Sequence, residues 1–273
     1  MPELAEVEFF RKQWNSGLRQ RILTVHLHAG KRIFRGLPVM SMRRGIAGKT
    51  LLSSHAHGKQ MLFRIGPSGW LGIHLGMTGK LSTQPAAYPP GPHDHLILRT
   101  RRHSLVFHDP RLFGRVRFDH HSKPPDWWSQ LPPPILSRNF HLQKFKGIFQ
   151  RHPRAPLKAL LLRQECFPGL GNWMADEILW QSHLHPKTSG RILRPAQLEK
   201  LYASIRKVCR EALQTIGRDW SDPPKGWLFR HRWKPGGQCP RCAIGLARAS
   251  VGGRTTCWCP ACQPPLPRRA NSA

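Results

Sequence analysis

Five prolines between positions 123 and 134 (Pro124, Pro125, Pro132, Pro133 and Pro134) cut this chain into halves that no single regular element can span. Proline fixes φ and lacks an amide donor, so a helix interior or a central strand does not run through such a stretch. Before it, short apolar or alternating runs at 22–27, 51–54, 60–65, 70–75, 95–99, 105–108 and 116–118 are parted by Gly, Pro and polar residues. That pattern predicts a β-sandwich or flattened barrel. One helix leads it, because Leu4, Val7, Phe10, Trp14 and Leu18 recur at three- and four-residue intervals. After the break the period turns helical at 140–149, 156–162, 173–181 and 195–216, the last with Leu198, Leu201, Ile205, Val208 and Ala212 on one face. A helical bundle is expected there. The predicted layout is an N-terminal helix and β-sandwich domain at 1–122, a Pro-rich linker at 123–136, a helical domain at 137–220, and a Cys-, Pro- and Gly-rich end at 221–273 whose basic tail, 264–273, should fray.

Charge narrows the choice of partner. Lys and Arg number 44 against 14 Asp and Glu, a formal +30. The positive residues run from Arg11 to Arg269 rather than gathering in a tail. Basicity of that kind belongs to a folded surface that meets a polyanion, with nucleic acid ahead of a membrane. No run reaches the ~18 apolar residues of a membrane span, and residues 1–18 lack the order of a secretion signal. The expectation is a cytoplasmic monomer.

Seven cysteines make an odd count, and five of them crowd between Cys239 and Cys262. Cys239-Pro-Arg-Cys242, sixteen intervening residues and Cys259-Pro-Ala-Cys262 form two knuckles. On a β-hairpin they close a tetrahedral four-thiolate site for one zinc ion, with no position left for water, so this zinc is structural. Cys257 lacks the spacing and is read as a spare thiol. Arg241, Arg248 and Arg254 on the same hairpin suit a phosphate grip.

The opening residues Met1-Pro2-Glu3-Leu4-Ala5-Glu6-Val7-Glu8 hold a reactive group of another kind. Once Met1 is removed, Pro2 is a secondary amine beside a carboxylate, and an α-amino group titrates near pH ~7.7 to 8, so part of it is a nucleophile at neutral pH. The same residues also suit a plain helix start. Pro168-Gly169-Leu170-Gly171-Asn172 precedes a helix and is either an anion-binding turn or an ordinary one. Met77 and Phe113 stand in the Gly-flanked loops 75–79 and 109–114, next to Arg111. They are core residues or apolar wedges of the sort that DNA-kinking proteins insert between bases.

Taken in order, Met1–Glu8, the Gly58-Lys59 turn, Leu75-Gly-Met-Thr-Gly79, Asp109-Pro-Arg-Leu-Phe-Gly114, Gly169-Leu-Gly-Asn-Trp-Met-Ala-Asp-Glu177 and the four-cysteine finger resemble the formamidopyrimidine-DNA glycosylase and endonuclease VIII family over nearly the whole chain. The resemblance implies an α+β multidomain protein: an N-terminal helix plus β-sandwich, a helix-two-turns-helix domain and a C-terminal zinc-finger β-hairpin. It implies a DNA repair enzyme that binds double-stranded DNA containing damaged bases or abasic sites in a cleft between the first two parts, with the target nucleotide flipped out. Pro2 matches the nucleophile that attacks C1′, and Glu3 the acid that assists ring opening. Glu6 matches a further acid near the site. Lys59, Asn172 and Arg254 match phosphate-binding positions, while Met77, Arg111 and Phe113 match the residues that fill the vacated space. The implied activity is a bifunctional glycosylase and abasic-site lyase of base excision repair that removes oxidised bases, purines first, and cleaves by β,δ-elimination.

Three departures stand out. Ala5 replaces a second proline, Arg163 replaces an acid before Gln164, and residues 217–231 are shorter than the base-capping loop of oxoguanine-specific members. Two rival readings are a non-catalytic damaged-DNA-binding protein that keeps the fold and a zinc-ribbon RNA-binding protein.

Overall fold

The computed structural model describes residues 1–266, and its contacts divide the chain between Leu131 and Pro132 into two compact units. Of the tail expected to fray, residues 267–273 lie outside the described residues. Among the described residues no helix is long and apolar enough to cross a membrane.

The first unit opens with α1 (Leu4–Gln13), which tightens into a 3-10 turn at Trp14–Gly17 instead of running on to Leu18. The turn buries Trp14, whose indole N–H donates to the Val106 carbonyl at 3.3 Å and whose ring lies 4.9 Å from that of Phe63. Strand β1 (Thr24–Leu27) and helix α2 (Val39–Ile46) follow, then β2 (Leu51–His57), β3 (Gln60–Ile65), β4 (Gly69–His74), β5 (Lys80–Pro85), β6 (Asp94–Arg99), β7 (His103–His108) and β8 (Arg115–His120). They form two antiparallel four-stranded sheets, ordered β1-β6-β7-β5 and β2-β3-β4-β8. One apolar core joins both sheets to α1 and α2, with Phe63, Leu71 and Val116 from one sheet meeting Val25, Leu98 and Phe107 from the other.

Sequence periodicity missed α2 and β5. Helix α2 is only two turns long and carries Gly45, so its apolar spacing at Val39, Met42 and Ile46 is too brief to stand out, and β5 exposes or half-buries most of its residues. The proline break also holds one element against expectation, the single helical turn α3 (Asp126–Ser129). Pro125 stands just before it as the N-cap, where a missing N–H costs nothing.

The second unit contains α4 (Leu142–Arg151), α5 (Leu157–Leu161), α6 (Asn172–Ser182), α7 (Pro195–Gln214), α8 (Ile216–Asp219) and the hairpin β9 (Ala247–Val251) with β10 (Arg254–Trp258). Phe140, Phe145, Phe149, Phe167 and Tyr202 pack ring against ring at one end. Helix α6 is buried along most of its length, Asp176 and Glu177 included, which explains why its sequence shows no amphipathic stripe.

Candidate active site and phosphate-binding residues

Glu3 is the N-cap of α1 and is almost wholly buried. Its carboxylate accepts the Glu6 backbone N–H, and Glu6 in return accepts the Glu3 N–H at 3.2 Å. This reciprocal capping box satisfies two helix-terminal donors and fixes the residue next to Pro2 without a second proline. Ala5 is itself fully buried under the first turn. The helix therefore holds its start through Glu3 and Glu6, and the departure at Ala5 leaves the geometry of the opening residues intact.

Lys59 sits in the turn between β2 and β3, where Gly58 takes φ +59°, and is buried. Beside it the structure adds a residue that sequence reasoning passed over, His74. Pairing of β3 with β4 sets His74 opposite Gln60. Burial first, then the positive charges of Lys59, Arg117 and Arg35, hold its imidazole down at about pH 4. Its Nδ1 accepts the Gly76 N–H at 3.0 Å, so the neutral ring keeps its proton on Nε2 as a donor. The signal in the sequence was the position of His74 directly before Leu75-Gly76-Met77, but its nearness to Lys59 exists only through strand pairing.

Two loops of this unit touch backbone to backbone. A Cβ on Gly76, at φ +64°, would lie 2.4 Å from the Phe113 carbonyl carbon, so only glycine fits. Asp109, fully buried, ties the same loops together: Oδ1 accepts the Thr78 hydroxyl at 3.1 Å and Oδ2 the Gly114 N–H at 2.7 Å. Between them Leu112 takes φ +57°, which turns the chain sharply, and Arg111 lies over the Phe113 ring at 4.9 Å. Met77 is 43% and Phe113 41% exposed. Both are large apolar side chains left out of the core on adjoining loops.

In the second unit the 164–172 turn is knitted by Gln164, which accepts the Gly169 N–H and donates to the Leu162 and Leu170 carbonyls. Arg163 plays no part in that knot; it pairs on the surface with Glu165. Asn172 donates through Nδ2 to the Thr255 carbonyl at 2.9 Å, while its Oδ1 is enclosed without a partner. This bond carries α6 to the hairpin, next to Arg254, which is exposed. The other two hairpin arginines are used internally. Arg241 stacks on Trp180 at 4.0 Å, and Arg248 donates to the carbonyls of Arg232 and Lys234.

Beneath the hairpin lies a buried ionic cluster that the sequence did not announce. Asp176 accepts from Lys158 Nζ at 2.6 Å, from Arg232 Nη2 at 2.6 Å and from the Cys257 N–H at 3.1 Å, and Lys158 also donates to the Asn172 carbonyl. Asp176 thus binds α5, α6, the segment before the hairpin and β10 into one piece. The short 217–231 segment is pinned to α6 as well, with Trp173 4.9 Å from Phe229 and the Phe229 N–H donated to Glu177.

Cys239, Cys242, Cys259 and Cys262 bring their sulfur atoms within 4.8 Å of one another, with closest pairs at 3.5, 3.6 and 3.9 Å. Four thiolates ~2.3 Å from a common tetrahedral ion would stand roughly 3.8 Å apart, so the donor set fits such an ion. Trp180 Nε1 donates to Cys239 Sγ at 3.3 Å, a support for one ligand from α6. Cys257 is outside that set and buried, and its backbone N–H donates to Asp176.

A strongly basic chain that pairs a capped N-terminal amine segment on a β-sandwich with a helical unit ending in a four-cysteine hairpin defines a nucleic-acid-processing protein of two units. Comparison with known proteins makes this specific. The formamidopyrimidine-DNA glycosylase N-terminal domain model matches residues 1–116, and the H2TH domain model of the same proteins matches residues 131–222. The chain is 34% identical to the formamidopyrimidine-DNA glycosylase of Thermus thermophilus, covering 96% of this chain and 98% of the relative. Two Lactococcus lactis structures, one with DNA containing FAPY-dG and one with DNA containing an oxidised pyrimidine, are each 26% identical with a TM-score of 0.86. They cover 96% and 97% of this chain and all of theirs. The chain belongs to the formamidopyrimidine-DNA glycosylase family.

Proposed function

We propose that this chain is a bifunctional DNA glycosylase and abasic-site lyase of base excision repair, acting on oxidised bases in double-stranded DNA with purines preferred. The observation that carries the reading is the N-terminus itself, where a buried Glu3 caps the helix that immediately follows Pro2. With Met1 removed, the Pro2 nitrogen attacks C1′ of the flipped nucleotide and the base departs with its bonding electrons. Glu3 assists opening of the sugar ring, and loss of the O4′ bond leaves an iminium between Pro2 and C1′. That iminium draws electrons from C2′ after deprotonation, and the 3′- and then the 5′-phosphate leave by β- and δ-elimination. Lys59 in the first unit and Asn172 and Arg254 in the second bind phosphates, with His74 as an added neutral donor. Met77, Arg111 and Phe113 fill the space left by the nucleotide.

The four cysteines would hold one zinc ion that folds the hairpin carrying Arg254. The functional division follows as 1–122 for chemistry, 137–220 for the helix-two-turns-helix and 221–273 for the finger. The Lactococcus lactis complex with FAPY-dG supports a lesion range that includes formamidopyrimidines, the one with an oxidised pyrimidine supports a range that reaches beyond purines, and the short 217–231 segment supports a permissive pocket.

Borohydride trapping on an abasic duplex tests the reading. Protein whose N-terminus is sequenced as Pro2 is expected to give a covalent adduct, and Pro2→Gly to slow its formation by at least about 100-fold. Absence of an adduct from Pro2-terminated, metal-loaded protein would mean a DNA binder without catalysis.

A further inference from the structure

Five histidines gather at one end of the β1-β6-β7-β5 sheet, and the reaction uses none of them. Ring centroids link His26 to His28 at 5.1 Å, His28 to His95 at 5.3 Å, His95 to His93 at 6.5 Å and His93 to His108 at 5.8 Å. His95 is the buried centre. Its Nε2 lies 3.0 Å from the Asp109 carbonyl oxygen and its Nδ1 lies 3.1 Å from His28 Nδ1.

These two contacts fix the protons. A carbonyl only accepts, so His95 Nε2 must carry a hydrogen, and in a neutral ring Nδ1 is then a lone pair. His28 must therefore donate its own Nδ1–H. The result is a directed relay, His28 N–H to His95 to the Asp109 carbonyl. Asp109 is the residue whose carboxylate joins the loops of Met77 and Phe113, and its own N–H is donated to the His93 carbonyl at 2.9 Å.

We propose that His95 and His28 are positioning residues that hold the two loops through Asp109, and that acid releases them. This rests on the reading of Met77, Arg111 and Phe113 as the groups that fill the vacated space. One proton can settle on His28 Nε2 without disturbing the relay. A second can only go to His95 Nδ1, which sets two N–H groups head to head and forces the rings apart. Burial foremost lowers the His95 pKa, then His28 and His93 lower it further while the Asp109 carbonyl and carboxylate raise it. His26, whose ring lies next to that of His28, is itself faced by Arg99 and Asp94 of β6 and by Arg43 of α2, and His108 is bound to Asp94 at 2.8 Å. The relay is therefore intact at neutral pH and breaks below the ordinary histidine range.

The test uses full-length, metal-loaded protein at saturating concentration on a duplex with a tetrahydrofuran abasic analogue opposite 2-aminopurine. Filling of the duplex raises the fluorescence of the orphaned base. In the wild type the gain is expected to hold through the ordinary histidine range and to fall at least about twofold between pH 6.0 and 4.0, with binding still saturated, as the lowered His95 takes up its proton. His95→Gln keeps an amide donor for the Asp109 carbonyl but does not titrate, so its gain should stay flat across the range. His28→Ala should do the same, because a protonated His95 Nδ1 then faces no opposing N–H, and it carries the test if His95→Gln fails to fold. A flat wild-type profile, or variants that titrate like the wild type, would overturn the relay. Phe113→Ala separates the two layers: if it keeps the full gain the filling role falls and the proposal with it. If it loses the gain while His95→Gln still follows the wild-type profile, the relay alone falls.

Discussion

Both units bury charged groups, and they bury them for opposite purposes. In the first unit Glu3 and Lys59 are set at the edges of elements, one at a helix N-cap and one in a hairpin turn, next to a core of purely apolar side chains. In the second, Asp176 is shared by Lys158 and Arg232 inside the protein and joins four segments. A charge at the edge of an element can be presented to a substrate, whereas a charge in the middle of a network is consumed by its partners. Burial alone does not distinguish the two settings; position within the element does.

Removing the metal should separate the units most sharply. Chelation is expected to unfold the hairpin and abolish DNA binding while the β-sandwich stays folded, since four unpaired thiols cannot replace the ion's contribution to folding. Retained binding in metal-free protein, followed by fluorescence anisotropy with far-UV circular dichroism, would end the structural assignment.

Next in size is the contrast between the buried acids. Asp176→Ala leaves Lys158 and Arg232 as uncompensated buried cations and should cost about 3–5 kcal/mol in denaturant unfolding of the second unit. Glu3→Gln, by contrast, should slow adduct formation about 100-fold or more while changing stability little. If Asp176→Ala melted like the wild type, the cluster would have no scaffolding role.

Glu177 sharpens the comparison through pH. Burial pushes its carboxyl up to about 7, against the opposing hydrogen bonds from Gln181 and the backbone of Phe229. A raised pKa in the folded state means that the native protein holds the proton more tightly. The associated stability is present in full below about pH 4.5 and is lost as pH rises through 7, by up to about 3 kcal/mol. Glu177→Gln should remove that slope, so the stability difference between variant and wild type should change between pH 5 and 8. A constant difference would show that the carboxyl is ionised throughout.

Smallest is Arg254→Ala, which removes an exposed guanidinium and should weaken DNA binding by about 1–3 kcal/mol as one lost charge-assisted bond. Its unfolding midpoint should not move. Unchanged affinity at fixed salt would take Arg254 out of the phosphate-binding set.

Much of this was legible in the residues. The proline break, the helical period after it, the cysteine spacing and the N-terminal amine all act over a few residues, so local rules reach them: periodicity, forbidden φ, the bite of a Cys-x-x-Cys turn. The same locality explains the misses. Helix α2 keeps its apolar period for only two turns, β5 is too polar on both faces for one to emerge, and α3 fits within the single turn that Pro125 allows. Arg241, Arg248 and Arg254 look alike in the sequence, yet the fold spends two of them on internal contacts and exposes the third.

What the sequence determined by itself was the inventory: a Pro2-Glu3 pair at the head of a helix, four thiols at ligand spacing, a surplus of positive charge, and wedge-sized side chains in loops. What the tertiary structure decided was adjacency. His74 meets Lys59 because β3 pairs with β4 in one register, Asp109 joins two loops distant in the chain, and Asp176 fastens α6 to the hairpin. These pairings are set by packing and strand register, which depend on residues far apart in sequence, and no local pattern encodes them.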